Sequence, residues 1–213
     1  MPRKIRYSEV AKKYRPYLEV VFCDSITGKC SQKTFGLVDS GADGIVIPYS
    51  LGKEIGLRSP TAPELLDPNN IMTGIGGDAW HVARDCKLHI VDTVNGISYI
   101  FNEHVSWIYP DPSTLQQQTE LAKEFSELQL KKQEVGTNIE LLNPLLSELQ
   151  NIELKIQKIN KSLEPDVLIG RPFFDNFKYI TFWHHDRKRE HECYFEYELN
   201  PEKISDTKPI AKK

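Results

Sequence analysis

Residues 35–48 read FGLVDSGADGIVIP. Asp39 ends one apolar run, Leu37-Val38, and is followed at once by Ser40, Gly41 and Ala42; a second run, Ile45-Val46-Ile47, comes after. An aspartate among strand-forming residues is uncommon unless its charge or its hydrogen bonds are used. Gly41 permits a tight turn in which backbone N–H groups point at the carboxylate, and Ser40 adds a hydroxyl. The expected unit is a strand, an acid at its end, a tight turn, and a second short strand stopped by Pro48.

Outward from that stretch the chain reads as short strands. YLEVVFC (17–23) alternates, DSITGK (24–29) turns, and SQKTFGLVD (31–39) returns, a hairpin by pattern. Ser50 is placed to cap a short helix over LGKEI, closed by Gly56. Proline-rich 58–68 is loop, 70–91 is two strands around a glycine-rich tip, and 96–109 is one more strand. After Pro165, DVLIG is a short buried strand, and 178–185 and 193–199 form a closing hairpin around the charged DRKRE.

Between these parts the pattern changes. From Ser113 to Leu163 the only aromatic residue is Phe125, and Leu121, Phe125, Leu128, Val135, Ile139, Leu142, Leu146 and Leu149 recur at helical spacing. Gly136 lies near the middle, and Asn143-Pro144 is a good helix start. Two antiparallel helices joined within 136–143 are expected. The domain reading is a basic arm over 1–16, a β domain over 17–109 and 165–199, a helical hairpin insert over 110–164 and a flexible tail over 200–213.

Composition narrows the function. There are 27 Lys+Arg against 30 Asp+Glu, a net charge of -3, so no overall basic field draws nucleic acid. No stretch approaches a membrane span, and the basic first residues lack the apolar core of a secretory signal, so the cytoplasm is the expected location. Cys23 and Cys30 flank a hairpin turn, which leaves a disulfide open to them, but free thiols fit a cytoplasmic chain better. His184, His185, His191 and Cys193 cluster without a standard metal spacing, so no metal and no cofactor are expected.

Three pieces carry the chemistry: Val38-Asp39-Ser40-Gly41-Ala42, the tip Met72-Thr73-Gly74-Ile75-Gly76-Gly77, and Val167-Leu168-Ile169-Gly170-Arg171. In this order they resemble the retropepsins, the retroviral type of aspartic protease, over roughly 17–109 and 165–199. The resemblance implies a mainly β, half-barrel acid-protease subunit carrying an α-helical, coiled-coil-like insert. It implies that Asp39 is catalytic and that Ser40, Gly41 and Ala42 hold its loop. It further implies that Asp43 pairs with Arg171 to brace that loop. Thr73, Gly74, Ile75, Gly76 and Gly77 correspond to a flap over the substrate, with Trp80 as a substrate contact; Asp78 reads as a solvated turn acid.

Only one Asp-Ser-Gly triplet occurs, whereas such enzymes use two aspartates. The resemblance therefore implies a homodimer with one Asp39 per subunit, hydrolysing a protein or peptide substrate. The other reading is a non-catalytic retropepsin-like module that dimerises or binds peptides, with the helical insert as its interaction surface.

Overall fold

The computed structural model describes residues 2–6, 15–74, 77–136, 139–183 and 193–210. It forms two compact units. The first comprises Met1–Ser59, Val82–Trp107 and Asp166–Lys213; the second comprises Pro60–His81 and Ile108–Pro165.

In chain order the strands and helices of the first unit are β1 (Arg3–Arg6), β2 (Tyr17–Asp24), β3 (Thr34–Val38), β4 (Ile45–Ile47) and α1 (Tyr49–Ile55). After the second unit's α2 (Ala62–Leu66) and β5 (Ile71–Gly74) come β6 (Gly77–Asp92) and β7 (Ile97–Ile108). The second unit's α3 (Pro112–Val135) and α4 (Ile139–Leu163) follow, and then β8 (Val167–Ile169), β9 (Phe177–Trp183), β10 (Tyr194–Leu199) and β11 (Asp206–Pro209).

The fold is mainly β, as expected. The strands β7-β4-β8-β3-β2-β6 pair in that order, and β6 pairs with β7 to close a six-stranded barrel. Most strand positions carry apolar side chains, because a closed ring buries its inner face. Leu18, Phe22, Ile47, Leu88, Ile90, Phe101, Trp107 and Ile169 are fully buried. α1 packs on this core through Gly52, where a Cβ would fall 2.1 Å from Trp107 Nε1. The same indole N–H donates to the Tyr49 carbonyl at 3.2 Å. Gly56 ends α1 at φ 78°, as its sequence position implies, but the helix begins at Tyr49 after Pro48, so Ser50 is not its cap.

Described residues in both terminal segments pair as strands. The 1–16 arm contributes β1, antiparallel to β10, with Lys4 Nζ 3.6 Å from the Tyr194 ring centroid and Arg3 paired with the buried Asp92. Within 200–213, β11 adds to β7, matching Asp206 with Ile100 and Pro209 with Ile97. Each recruits polar residues to a strand edge, where backbone hydrogen bonds rather than apolar burial provide the attachment. β1, β10 and β9 form a separate three-stranded sheet. Edge-on aromatic contacts run from Phe101 to Phe173, from Phe173 to Phe177 and from Phe177 to Tyr197. Cys23 and Cys30 form a disulfide, correcting the expectation of free thiols; a two-strand turn brings them face to face.

In the second unit, Ile71 pairs with Trp80 and Gly74 with Gly77 in an antiparallel hairpin. α3 is capped by Asp111, whose side chain accepts from Ser113 N at 2.8 Å and Thr114 N at 3.0 Å. α4 starts at Ile139, so Asn143 is not its cap and Pro144 lies inside the helix. Leu121, Leu128, Leu149 and Ile152 form the buried seam, flanked by Phe125, Leu145, Ile156 and Ile159. On α4 the expected Leu149 is in the seam, but Leu145 is partly buried where Leu146 was expected, and Ile139 and Leu146 are 70% and 40% exposed. Gln118 and Asn160 bond at 3.0 Å, near the start of α3 and the end of α4, as antiparallel packing requires. Among the described residues no helix is long and apolar enough to cross a membrane.

Candidate active site

Asp39 stands at the end of β3, where the barrel strand gives way to a loop. Its position follows from β8. That strand lies between β3 and β4, parallel to the first (Val38 opposite Ile169) and antiparallel to the second (Ile45 opposite Ile169). Consecutive strands are thereby held apart by a strand that arrives more than a hundred residues later, and the chain must cross over its end. The crossing is the 39–44 loop. Ile169 accepts from Asp39 N–H at 3.1 Å, which fixes the backbone at the acid.

The loop turns back on the carboxylate. Gly41 N–H donates to Asp39 Oδ1 at 2.8 Å, and Ala42 N–H donates to the Asp39 carbonyl at 3.2 Å. A Cβ on Gly41 would lie 3.2 Å from Oδ1, so a residue without one suits the close approach. This is the turn expected for Gly41. The Asp39 side chain is half-buried, and no ion pair engages it among the described residues. Ser40 is exposed. A carboxylate with one backbone donor, an open side and an adjacent exposed hydroxyl is able to hold a water or share a proton with a second acid.

β8 clasps this loop from behind. A Cβ on Gly170 would fall 2.4 Å from the Gly44 carbonyl oxygen and 2.5 Å from that of Ala42. Arg171 N–H donates to the Ala42 carbonyl at 2.9 Å. The Arg171 guanidinium also pairs with Asp43, as the resemblance implies, but the two side chains are 63% and 83% exposed. Ion pairs so open to water contribute little, so the backbone bond and the glycine contact hold the loop more than the charges do.

Other supports were not visible beforehand. Val38 N–H donates to the Pro16 carbonyl at 2.8 Å, and Tyr17 Oη donates to Asp166 at 3.3 Å, tying the ends of β2, β3 and β8 together. Asn176 Nδ2 donates to Glu103 Oε1 at 2.7 Å and anchors the 3-10 turn Arg171–Asn176. Burial pushes the Glu103 carboxyl above the ordinary range, with the Asn176 hydrogen bond opposing it. Asn176 has no signal in the sequence; its burial is visible only in the structure.

The remaining expected residues form a second group. Thr73, Gly74 and Gly77 flank the β5–β6 hairpin tip, with Thr73 opposite Asp78; Ile75 and Gly76 lie outside the described residues. Trp80 is half-buried and accepts at its carbonyl from Tyr109 N–H at 3.0 Å. With Ala79, Ile108, Pro110 and Leu163 it lines a small cavity of about 80 Å³ within the second unit. Trp107, by contrast, is wholly core. Among the described residues no cluster of His, Cys, Asp or Glu is arranged to hold a metal; His184, His185 and His191 fall outside them. No family model, no curated protein and no solved structure matches the chain.

Proposed function

We propose that the chain is an aspartic peptide hydrolase of the retropepsin-like kind, acting as a twofold homodimer with one Asp39 from each protomer. The observation that carries this reading is the Asp39 loop: an acid at a strand end, turned on itself by Gly41 and clasped by the Gly170 strand threaded between β3 and β4. One protomer supplies one such loop, which is half of what the chemistry needs. The barrel closes within a single chain, so a twin would complete the site rather than the fold. The helical pair is then a coiled-coil-like insert in that subunit.

Two carboxylates brought together cannot both ionise cheaply, so the pair holds one proton and titrates as a unit. The ionised member takes a proton from a water held between them, and the water oxygen attacks the peptide carbonyl. The protonated member hydrogen-bonds the carbonyl oxygen as it gains charge. Collapse of the tetrahedral intermediate breaks the C–N bond, and the leaving nitrogen takes a proton from the dyad. Gly41 N–H would keep each carboxylate in plane, and Ser40 would bridge the two loops. Thr73, Gly74, Ile75, Gly76 and Gly77 would act as the flap and Trp80 as a wall for the bound peptide.

The experiment is cleavage of a peptide library by the purified protein beside Asp39→Asn. The proposal expects cleavage products from the first and none from the second; equal cleavage by both defeats it. Exposed Leu130, Ile139, Leu141 and Leu154 on the helical pair favour a second reading, a non-catalytic peptide-binding or dimerisation module. A statine-type transition-state analogue separates the two, because it raises the melting temperature only of a formed two-aspartate site.

A further inference from the structure

The Cys23–Cys30 disulfide is asymmetric in a way that bears on its chemistry. Cys23 is 2% exposed, whereas Cys30 stands in the open on the far side of the turn. His89 Nε2 lies 3.5 Å from Cys23 Sγ, and Lys87 is the direct cross-strand partner of Cys23. An incoming thiolate therefore reaches only one sulfur, and the sulfur that must leave sits beside an imidazole. The remaining described cysteines behave differently. Cys86 and Cys193 are buried, and burial, with Asp24 and Asp85 nearby, pushes the Cys86 thiol up to about 12.

We propose that Cys30 is a thiol-exchange site, with Cys23 as the leaving thiol and His89 as the group that receives it. The co-reactant is a dithiol. Its thiolate attacks Cys30 Sγ; the new S–S bond forms as the Cys23–Cys30 bond breaks, and the electron pair moves to Cys23 Sγ. His89, in the tautomer protonated at Nε2, donates to that thiolate. The second thiol of the reductant then attacks its own sulfur in the mixed disulfide and releases Cys30. The dithiol is oxidised to a disulfide and the protein disulfide is reduced to two thiols.

The turn is built to survive this and close again. Asp24 Oδ2 accepts from both Thr27 N and Thr27 Oγ1 at 2.7 Å, and burial, which alone would raise its pKa, is outweighed by these bonds. Ser31 exchanges two bonds with Phe22, at 2.8 Å and 3.1 Å. None of these contacts needs the disulfide, so the reduced thiols stay opposed. The turn leads into β3, which ends at Asp39, yet the exchange chemistry does not depend on any role for that acid.

The test uses the full chain after air oxidation, reduced with dithiothreitol, alkylated while folded and mapped by mass spectrometry. Cys30 should gain label while Cys23, Cys86 and Cys193 stay unlabelled until the chain is unfolded. In the single variants, Cys23→Ser should react with one equivalent of an aromatic disulfide and Cys30→Ser with none until denatured. His89→Leu should slow reduction by about threefold, because the leaving Cys23 thiolate loses its hydrogen-bond donor and a poorer leaving thiol departs more slowly. Four free thiols after air oxidation, or Cys30→Ser reacting as fast as Cys23→Ser, would overturn the site. An unchanged rate in His89→Leu would overturn the part assigned to His89.

Discussion

Replacing Gly170 by alanine tests how the Asp39 loop is held. The new Cβ would sit 2.4 Å from the Gly44 oxygen, 2.5 Å from the Ala42 oxygen and 2.9 Å from the Gly44 nitrogen. All three are backbone atoms, so no side chain can swing aside. Carbon–oxygen contacts settle near about 3.3 Å, so the loop must retreat by about 0.9 Å. That retreat breaks the Arg171–Ala42 backbone bond. Overpacking of about 1–3 kcal/mol and about 1 kcal/mol for the lost bond total about 2–4 kcal/mol. At about 2–4 °C per kcal/mol for a chain of this size, the melting temperature should fall by about 4–16 °C. The assay is thermal unfolding followed by circular dichroism. Gly28→Ala serves as a reference, because its Cβ meets nothing within 4 Å and only its φ of 71° is strained. A Gly170→Ala melting point within about 1 °C of the wild type would refute the clasp, since even the smallest expected loss exceeds it.

Three further outcomes follow from the same geometry. Arg171→Ala should lower stability by at most about 1 kcal/mol in urea unfolding, because its ion pair with Asp43 is exposed and its backbone bond to Ala42 survives. Ile152→Ala empties part of the α3–α4 seam and should cost about 2–5 kcal/mol, read as an earlier loss of helical ellipticity. Burial alone would raise the Asp111 carboxyl, but bonds from Ser113 and Thr114 outweigh it and hold its pKa below the usual value. A depressed folded-state pKa adds stability that is present above the unfolded value, roughly pH 4, and is lost as pH falls through the folded one. Asp111→Asn should therefore shrink the acid loss of helicity below about pH 4, measured by circular dichroism against pH.

The loop around Asp39 was largely legible in the sequence, and for a physical reason. An acid at a strand end needs nearby N–H donors and a glycine to present them, and both requirements are local. The Gly170 contact was legible only as an apolar strand ending in glycine. The partner it approaches, the Ala42–Gly44 backbone, lies far away in the chain. The apolar spacing predicts both α3 and α4, but it points to Leu146 where Leu145 packs, because adjacent leucines leave the period ambiguous. Asn143-Pro144 looked like a start, yet α4 begins a turn earlier and tolerates the proline. β1 and β11 carry no sequence signal, because edge strands held by backbone bonds have no apolar signature. The disulfide depended on bringing two sulfurs together, which composition does not fix.

The most direct test of the central claim is a mixing titration. Wild-type protein is equilibrated with increasing Asp39→Asn, and peptide cleavage is measured at constant total concentration. If each protomer supplies one aspartate, cleavage follows the square of the wild-type fraction, falling to about one quarter in an equal mixture. A fall to about one half, tracking the wild-type fraction linearly, would mean that each chain carries a complete site and would contradict the account.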